Sequence, residues 1–273
     1  MNLNQIPFGL LLTSNELVDV SDVESGKNCK CICPSCKTPL IARQGSIKVW
    51  HFAHASKNVY EKTENECDFS FYISVRLMAK QLINEKLTLT LPEFYDTIEL
   101  REDRFGNIVK DKFLVTEEKE ISITDIKIET NFFGIIVDLV GNIEGYNFVV
   151  YFVHPGRKVP PELSLLDNRK CGVISVDFSS LPELFIKARR EGTSYKEALM
   201  RFLSHEKESK KWIFHPNFQR AKANAIEALK RRFENERKLA KFTCVMCKVD
   251  WDGFIQGGNI CPKCGDHLYS KQI

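Results

Sequence analysis

The chain has 273 residues, 43% of them apolar and 27% charged, the balance of a globular protein rather than a disordered or fibrous one. That length suits one large domain or two smaller ones, and no apolar run approaches the ~20 residues that a membrane helix needs. The short apolar stretch in MNLNQIPFGLLL has no basic segment before it and no small-residue cleavage site after it, so the expectation is a cytoplasmic protein without a signal peptide or a membrane partner.

In chain order, residues 1–69 read as short strands and turns around a first group of cysteines and histidines. FYISVRLMAKQLINEKL (71–87) places Phe71, Val75, Met78 and Leu82 at helical spacing, which predicts a helix with one apolar face. A β-rich run follows. In ISITDIKIE (121–129), Ile121, Ile123, Ile126 and Ile128 nearly keep a period of two, and GIIVDLVGNIEGYNFVVYFVH (134–154) reads as two strands around a turn at Gly141–Gly145. CGVISVDFSSL (171–181) reads as a buried strand that includes Cys171. From Leu181 to Lys241 the pattern is helical, with Phe218, Ala221, Ala225, Leu229 and Phe233 on one stripe and Arg220, Lys222, Lys230, Arg231 and Arg237 on other faces. A helix ahead of several strands predicts an α/β core with a mixed sheet. The expected division is 1–69, an N-terminal Cys/His module; 70–185, an α/β core; 186–241, a basic helical segment; and 242–273, a C-terminal cysteine-rich ribbon.

The net charge of +3 conceals an asymmetry. Residues 186–241 hold sixteen Lys/Arg against seven Asp/Glu, a balance of +9, which leaves −6 for the rest of the chain. A concentrated basic region on an otherwise acidic protein is a candidate polyanion-binding surface, with Lys222, Lys230, Arg231 and Arg232 as candidate phosphate contacts. The plain alternative is a solvated helical face.

Six of the ten cysteines fall in C-x-x-C pairs, which in a cytosolic setting favours metal over disulfides. CVMCKVDWDGFIQGGNICPKC (244–264) gives two such pairs thirteen residues apart. Each can offer two thiolates from a tight turn, and Cys244, Cys247, Cys261 and Cys264 together would close a tetrahedron around Zn²⁺. Four protein ligands leave no open position, so this metal is read as structural. CPSCKTPLIARQGSIKVWHFAH (33–54) offers Cys33, Cys36, His51 and His54 as a second zinc site, and Cys67 is placed to replace one histidine. Here too four protein ligands are at hand.

The order CICPSCKTPLIARQGSIKVWHFAH, then Cys67, then a helix carrying LMAK, resembles the N-terminal half of the competence protein CoiA-like family. VDLVGNIEGYNFVVYFVH, ISVDFS and KKWIFHP (210–216) extend the resemblance over roughly residues 8–216. It implies a zinc-binding segment joined to a restriction-endonuclease-like nuclease core, and roles in DNA uptake, recombination or defence against phage. Such a core holds a divalent metal with carboxylates at one edge of its sheet and keeps a lysine nearby. Asp138 matches the family's aspartate and Lys80 its helix lysine. The next acidic position falls on Val149 and the one two residues later on Tyr151, while the helix Glu and His positions fall on Tyr72 and Arg76. Valine and tyrosine offer no hard carboxylate oxygens to Mg²⁺.

Three readings follow. The first is a catalytically degenerate, zinc-stapled nuclease-like protein that binds DNA or joins a protein partner supplying catalysis. The second is an active nuclease using Mg²⁺ or Mn²⁺ at a migrated site built on Asp138 and Lys80 with Asp125, Glu129 or Glu144. The third is a protein-interaction module. His154, with Arg157 and Lys158 just after it, is read as a strand-capping or phosphate-touching residue in preference to a general base. Asp138 needs a partner if it lies inside a strand, and Lys80 or Arg76 could supply it.

Overall fold

The computed structural model describes residues 5–46, 49–55, 67, 69–101, 108–166, 170–236, 238–255 and 258–273, with backbone only at 101 and 233–236. Its contacts divide the chain into two compact units, Met1–Phe94 with Glu117–Pro216, and Tyr95–Thr116 with Asn217–Ile273.

The first unit opens with a small antiparallel sheet of β1 (Phe8–Leu11), β2 (Leu17–Asp19) and β3 (Cys31–Ile32), followed by a hairpin of β4 (Leu40–Arg43) and β5 (His51–His54). Helix α1 (Ser70–Leu82) comes next, and its predicted apolar face is real: Phe71, Val75 and Met78 are fully buried. Each such side chain contributes about 1.5–3 kcal/mol by leaving water. The helix lies against a six-stranded sheet in the order β13 (Lys210–Phe214), β12 (Cys171–Asp177), β11 (Tyr146–Val153), β10 (Ile135–Ile143), β9 (Lys119–Phe132) and β6 (Leu87–Leu91). Strands β11 and β12 are parallel and the other neighbours antiparallel, so the sheet is mixed, as the pattern predicts.

Helices α2 (Leu181–Arg190) and α3 (Tyr195–His205) share one apolar core with α1, with Val150, Phe152 and Val176 of the sheet, and with Phe8, Cys33 and Phe52 of the N-terminal segment. The N-terminal segment therefore contributes to the core of the sheet. Buried Asp19 adds a polar tie, accepting hydrogen bonds from the Tyr195 and Lys196 backbone N–H groups (2.8 and 3.2 Å) at the start of α3. The opposite face of the sheet buries Val137, Val149, Tyr151, Cys171 and Val173 beneath Leu163 and Leu166.

Two stretches depart from the helical reading of 181–241, the strand that begins at Leu239 and an earlier one. Lys210–Phe214 is a strand, paired antiparallel with β12. Its alternation is masked because one inward residue is a lysine. Lys210 is buried and its ammonium donates to the Glu206 carbonyl (2.8 Å).

The second unit pairs β7 (Phe94–Arg101) with β8 (Ile108–Thr116) and packs β8 against α4 (Phe218–Glu236), with Phe113 and Phe218 in ring contact at 6.1 Å. Leu229 is buried, as the predicted stripe requires. Phe233 is described only by its backbone, and Arg237 lies outside the described residues. A three-stranded antiparallel sheet of β14 (Leu239–Cys244), β15 (Asp250–Phe254) and β16 (Ser270–Gln272) completes the unit. The basic run 186–241 is thus divided: residues 186–216 carry +4 in the first unit and residues 217–241 carry +5 in the second. Among the described residues, no helix is long and apolar enough to cross a membrane.

Candidate metal centres and the Asp138 cluster

Three C-x-x-C turns in the chain have one backbone form. The N–H of the residue four positions after the first cysteine donates to that cysteine's carbonyl: Lys37 to Cys33 (2.9 Å), Lys248 to Cys244 (2.7 Å) and Gly265 to Cys261 (2.9 Å). The first cysteine's own N–H donates to the carbonyl five positions on, at Thr38, Val249 and Asp266. The residue at the fourth position is left-handed each time, with φ of 62°, 51° and 71°. The sequence signals this at Gly265, whereas lysines fill the same conformation in the other two turns.

These turns bring ligand atoms together at two places. Sγ of Cys244, Cys247, Cys261 and Cys264 all lie within 4.8 Å of one another, and so do the ligand atoms of Cys33, Cys36, His54 and Cys67. Four soft or borderline donors at that separation fit a tetrahedral ion in each place. In the second cluster the Cys247 N–H also points at Cys244 Sγ (3.4 Å). In the first, His54 Nε2 lies 3.3 Å from Cys36 Sγ and 3.7 Å from Cys67 Sγ. Burial pushes the Cys33 thiol up to about 11 and lowers the His54 imidazole, so His54 presents a neutral ring and Cys33 would need a cation beside it to ionise near pH 7.

His51 is the correction to the sequence reading of this site. It lies outside the cluster. His51 and His54 are three residues apart on β5, and side chains three apart on a strand point to opposite faces. Both are buried, but His51 Nδ1 contacts the Val49 carbonyl (2.8 Å) instead. Cys67 takes the fourth place. Cys29 and Cys31 are turned to the backbone, with Sγ atoms directed at the carbonyls of Leu40 (3.3 Å) and Cys29 (3.1 Å).

The second gathering of charge surrounds Asp138, which is 2% exposed on β10. Its Oδ2 accepts the Phe152 N–H (2.8 Å) and Arg157 Nη1 (2.6 Å), and its Oδ1 lies 3.4 Å from Arg76 Nε. Arg157 Nη1 also donates to the Phe152 carbonyl, and its guanidinium lies 3.8 Å above the Tyr151 ring. Tyr72, Arg76 and Lys80 form an i, i+4, i+8 row on α1, so they share one face of the helix. Lys80, also buried, pairs with Glu129 rather than with Asp138. Of the two partners the sequence offered Asp138, Arg76 is the one that meets it.

Glu129 reaches this cluster and the other candidate carboxylates do not. It stands opposite Asp138 in the β9–β10 register, between the pairs Val137–Thr130 and Leu139–Ile128. Lys80 holds its carboxyl below the usual range, helped by Arg76 and Arg157. Asp125 and Glu144 are exposed near the β10–β11 turn. Glu144 is six residues along from Asp138, roughly 20 Å for extended chain. Val149 and Tyr151 are buried, as an apolar and an aromatic residue in those positions should be.

Arg157 is the residue that sequence reasoning missed as Asp138's partner, and its signal is the stretch HPGR (154–157). Pro at the second and Gly at the third place is the pattern of a tight turn. Gly156 has φ 92°, and the Arg157 N–H donates back to the His154 carbonyl (2.8 Å). A Cβ at Gly156 would lie 2.8 Å from the Phe69 ring. The turn folds Arg157 back over the end of β11 onto Asp138. His154 stacks on Tyr72 (centroids 5.2 Å, planes 3° apart) and directs Nδ1 at the Pro155 carbonyl (2.7 Å). Its buried Nε2 has no hydrogen-bond partner among the described residues. Burial, Arg76 and Arg157 lower its pKa, so the ring is neutral near pH 7.

On α4, Lys230 is exposed, Arg231 pairs with Glu227, Arg232 pairs with Asp111 (3.5 Å) and Lys222 lies 5.9 Å from the Phe218 ring centroid. Three of the four candidate phosphate contacts therefore already have an internal partner.

Residues 16–59 match the family model described as competence protein CoiA, N-terminal domain. The match supports a CoiA-like family and contains Cys33, Cys36, His51 and His54. It stops short of Cys67, the sheet and Asp138. No curated protein and no solved structure matches the chain.

Proposed function

We propose that this chain is a zinc-stapled, nuclease-like protein that has lost metal-dependent cleavage and binds nucleic acid, with DNA as the expected ligand and catalysis left to a partner. Zn²⁺ is the ion assigned to both Cys/His clusters, because sets of three thiolates with one imidazole, and of four thiolates, suit it. With four protein ligands each, both ions are structural.

One observation carries the reading: the carboxylate of Asp138 is already engaged, with two hydrogen bonds on Oδ2 and a guanidinium facing Oδ1. Two guanidiniums and a backbone N–H hold it, in a place where Val149, Tyr151 and Tyr72 stand at the family's other motif positions. A hard divalent ion needs oxygen ligands in near-octahedral order, and here it would first have to break two buried ion pairs. Bringing it beside Arg76, Arg157 and Lys80 adds repulsion. Affinity for nucleic acid would come from sequence-independent contacts of Lys and Arg with phosphate. The second unit carries fifteen Lys/Arg against eleven Asp/Glu, a net +4, and holds the exposed Lys230.

The test is fluorescence anisotropy of labelled single- and double-stranded DNA with zinc-loaded protein at 50 and 200 mM salt. The reading expects binding that weakens steeply over that range without cleavage. Absence of salt-sensitive binding to either probe would sink it. It would favour a protein-interaction module, for which the exposed Val245, Met246, Leu268 and Tyr269 near the second cluster are the specific support. The active-nuclease reading has its own support in Glu129, a second carboxylate opposite Asp138.

A further inference from the structure

Lys80 is buried, with 5% of its side chain exposed, and its ammonium depends on the carboxylate of Glu129, whose side chain is 54% exposed. A buried ammonium is costly without an anion beside it. Here the anion is supplied by a side chain that water can reach and that can therefore move away. The backbone of Glu129 is left-handed at φ 49°, an uncommon conformation for a residue with a Cβ. Arg76 adds a second feature. Its Nε faces Asp138 Oδ1 at 3.4 Å without hydrogen-bond alignment, so this buried N–H has no hydrogen-bond acceptor. His154 Nε2, enclosed in the same cluster, also lacks a partner. Arg76, Arg157 and Lys80 stand against Asp138 and Glu129, a formal +1 that becomes +2 once Glu129 swings out.

We infer that Glu129 stands in for a phosphoryl oxyanion, and that the Arg76–Lys80–Arg157 cluster binds phosphate when that carboxylate is displaced. The position where the family resemblance implies a divalent ion would then hold the anion directly. Asp138 fixes the two guanidiniums, Lys80 and the free Arg76 Nε–H supply donors, and Arg76 (24% exposed) and Arg157 (18%) give the ligand a way in. The oxyanion is a phosphodiester of nucleic acid or free phosphate, and only the first of these rests on the function proposed above.

The experiment titrates the zinc-loaded full chain, Glu129→Gln and Arg76→Gln with inorganic phosphate by calorimetry, and with a labelled oligonucleotide by anisotropy. Removing the competing carboxylate should tighten phosphate about tenfold, and removing one charge-assisted donor should weaken it about tenfold. Equal phosphate affinity in all three proteins would overturn the inference, and retained oligonucleotide binding would then leave the nucleic-acid reading standing. A phosphate response without oligonucleotide binding would support the inference with free phosphate as ligand and count against the nucleic-acid reading. Parallel shifts with both probes would identify the phosphodiester. Should Arg76→Gln fail to fold, the gain expected of Glu129→Gln decides the matter, with its folded fraction checked by circular dichroism because Lys80 loses its counter-ion there.

Discussion

The first Cys/His cluster and the Asp138 cluster both gather chemically capable side chains at one buried point, and they differ in what completes them. Cys33, Cys36, His54 and Cys67 bring four ligand atoms within 4.8 Å and offer one another no compensating charge. Asp138 is surrounded by the counter-charges it needs, from Arg157 at 2.6 Å and Arg76 at 3.4 Å. The first arrangement offers four donors that a cation could gather. In the second, a cation would compete with two guanidiniums for one carboxylate. Convergence of polar residues is thus a poor guide to metal chemistry until the partners of each oxygen, nitrogen and sulfur are known.

The largest expected effect is on the side of the comparison that needs its metal. His54→Ala and Cys67→Ser should each lower zinc content from two ions per chain to one, while His51→Ala keeps two, as read by elemental analysis of purified protein. Structural zinc is worth of order 10 kcal/mol in small metal-folded segments, so the two depleted variants should also lose cooperative unfolding of the N-terminal segment. Loss of an ion in His51→Ala would contradict the alternation argument along β5.

On the other side, Arg157→Met leaves Asp138 buried with one guanidinium. Breaking a buried ion pair from one side costs about 3–5 kcal/mol, and a denaturant titration should show a loss near the lower end because Arg76 remains. A change under 1 kcal/mol would mean that Arg157 is ornamental and Asp138 open to other ligands.

A smaller effect comes from His215, a buried histidine of the first unit outside both clusters. Burial, aided by Lys119, pushes the His215 imidazole down to about 4 from 6.5. Between those values the unfolded chain takes a proton that the folded chain refuses. His215 therefore leaves stability intact above pH 6.5 and erodes it as pH falls towards 4, by up to about 3 kcal/mol. The stability difference between the wild-type protein and His215→Gln should shift across that window in the sense that the variant tolerates acid better. A constant difference would argue that His215 reaches solvent.

Local patterns carried much of this structure. The C-x-x-C turns, the helix through Phe71, Val75 and Met78, and the strands on either side of Gly145 are set by neighbours a few residues apart, and periodicity reports such neighbours. The Cys/His ligand set was partly legible, because three-residue spacing on a strand already separates His51 from His54. What escaped is long-range or rests on polar residues doing unexpected work. Lys80 and Glu129 are 49 positions apart, and only the folded sheet brings them together. Lys210 hides a strand because a buried lysine reads as an exposed one until the Glu206 carbonyl receives it. The basic run 186–241 is continuous in sequence but divided between two units, and several of its charges are spent internally, such as Arg201 on Glu197 and Lys207 on Glu118.

The most direct measurement is Mn²⁺-dependent cleavage of a labelled duplex by the zinc-loaded protein beside Asp138→Asn, with Mn²⁺ occupancy followed by electron paramagnetic resonance. A closed Asp138 cluster predicts no cleavage and no Mn²⁺ bound in a manner that depends on Asp138. Cleavage together with bound Mn²⁺, both abolished by Asp138→Asn, would contradict it and show that the two ion pairs open to admit a catalytic metal.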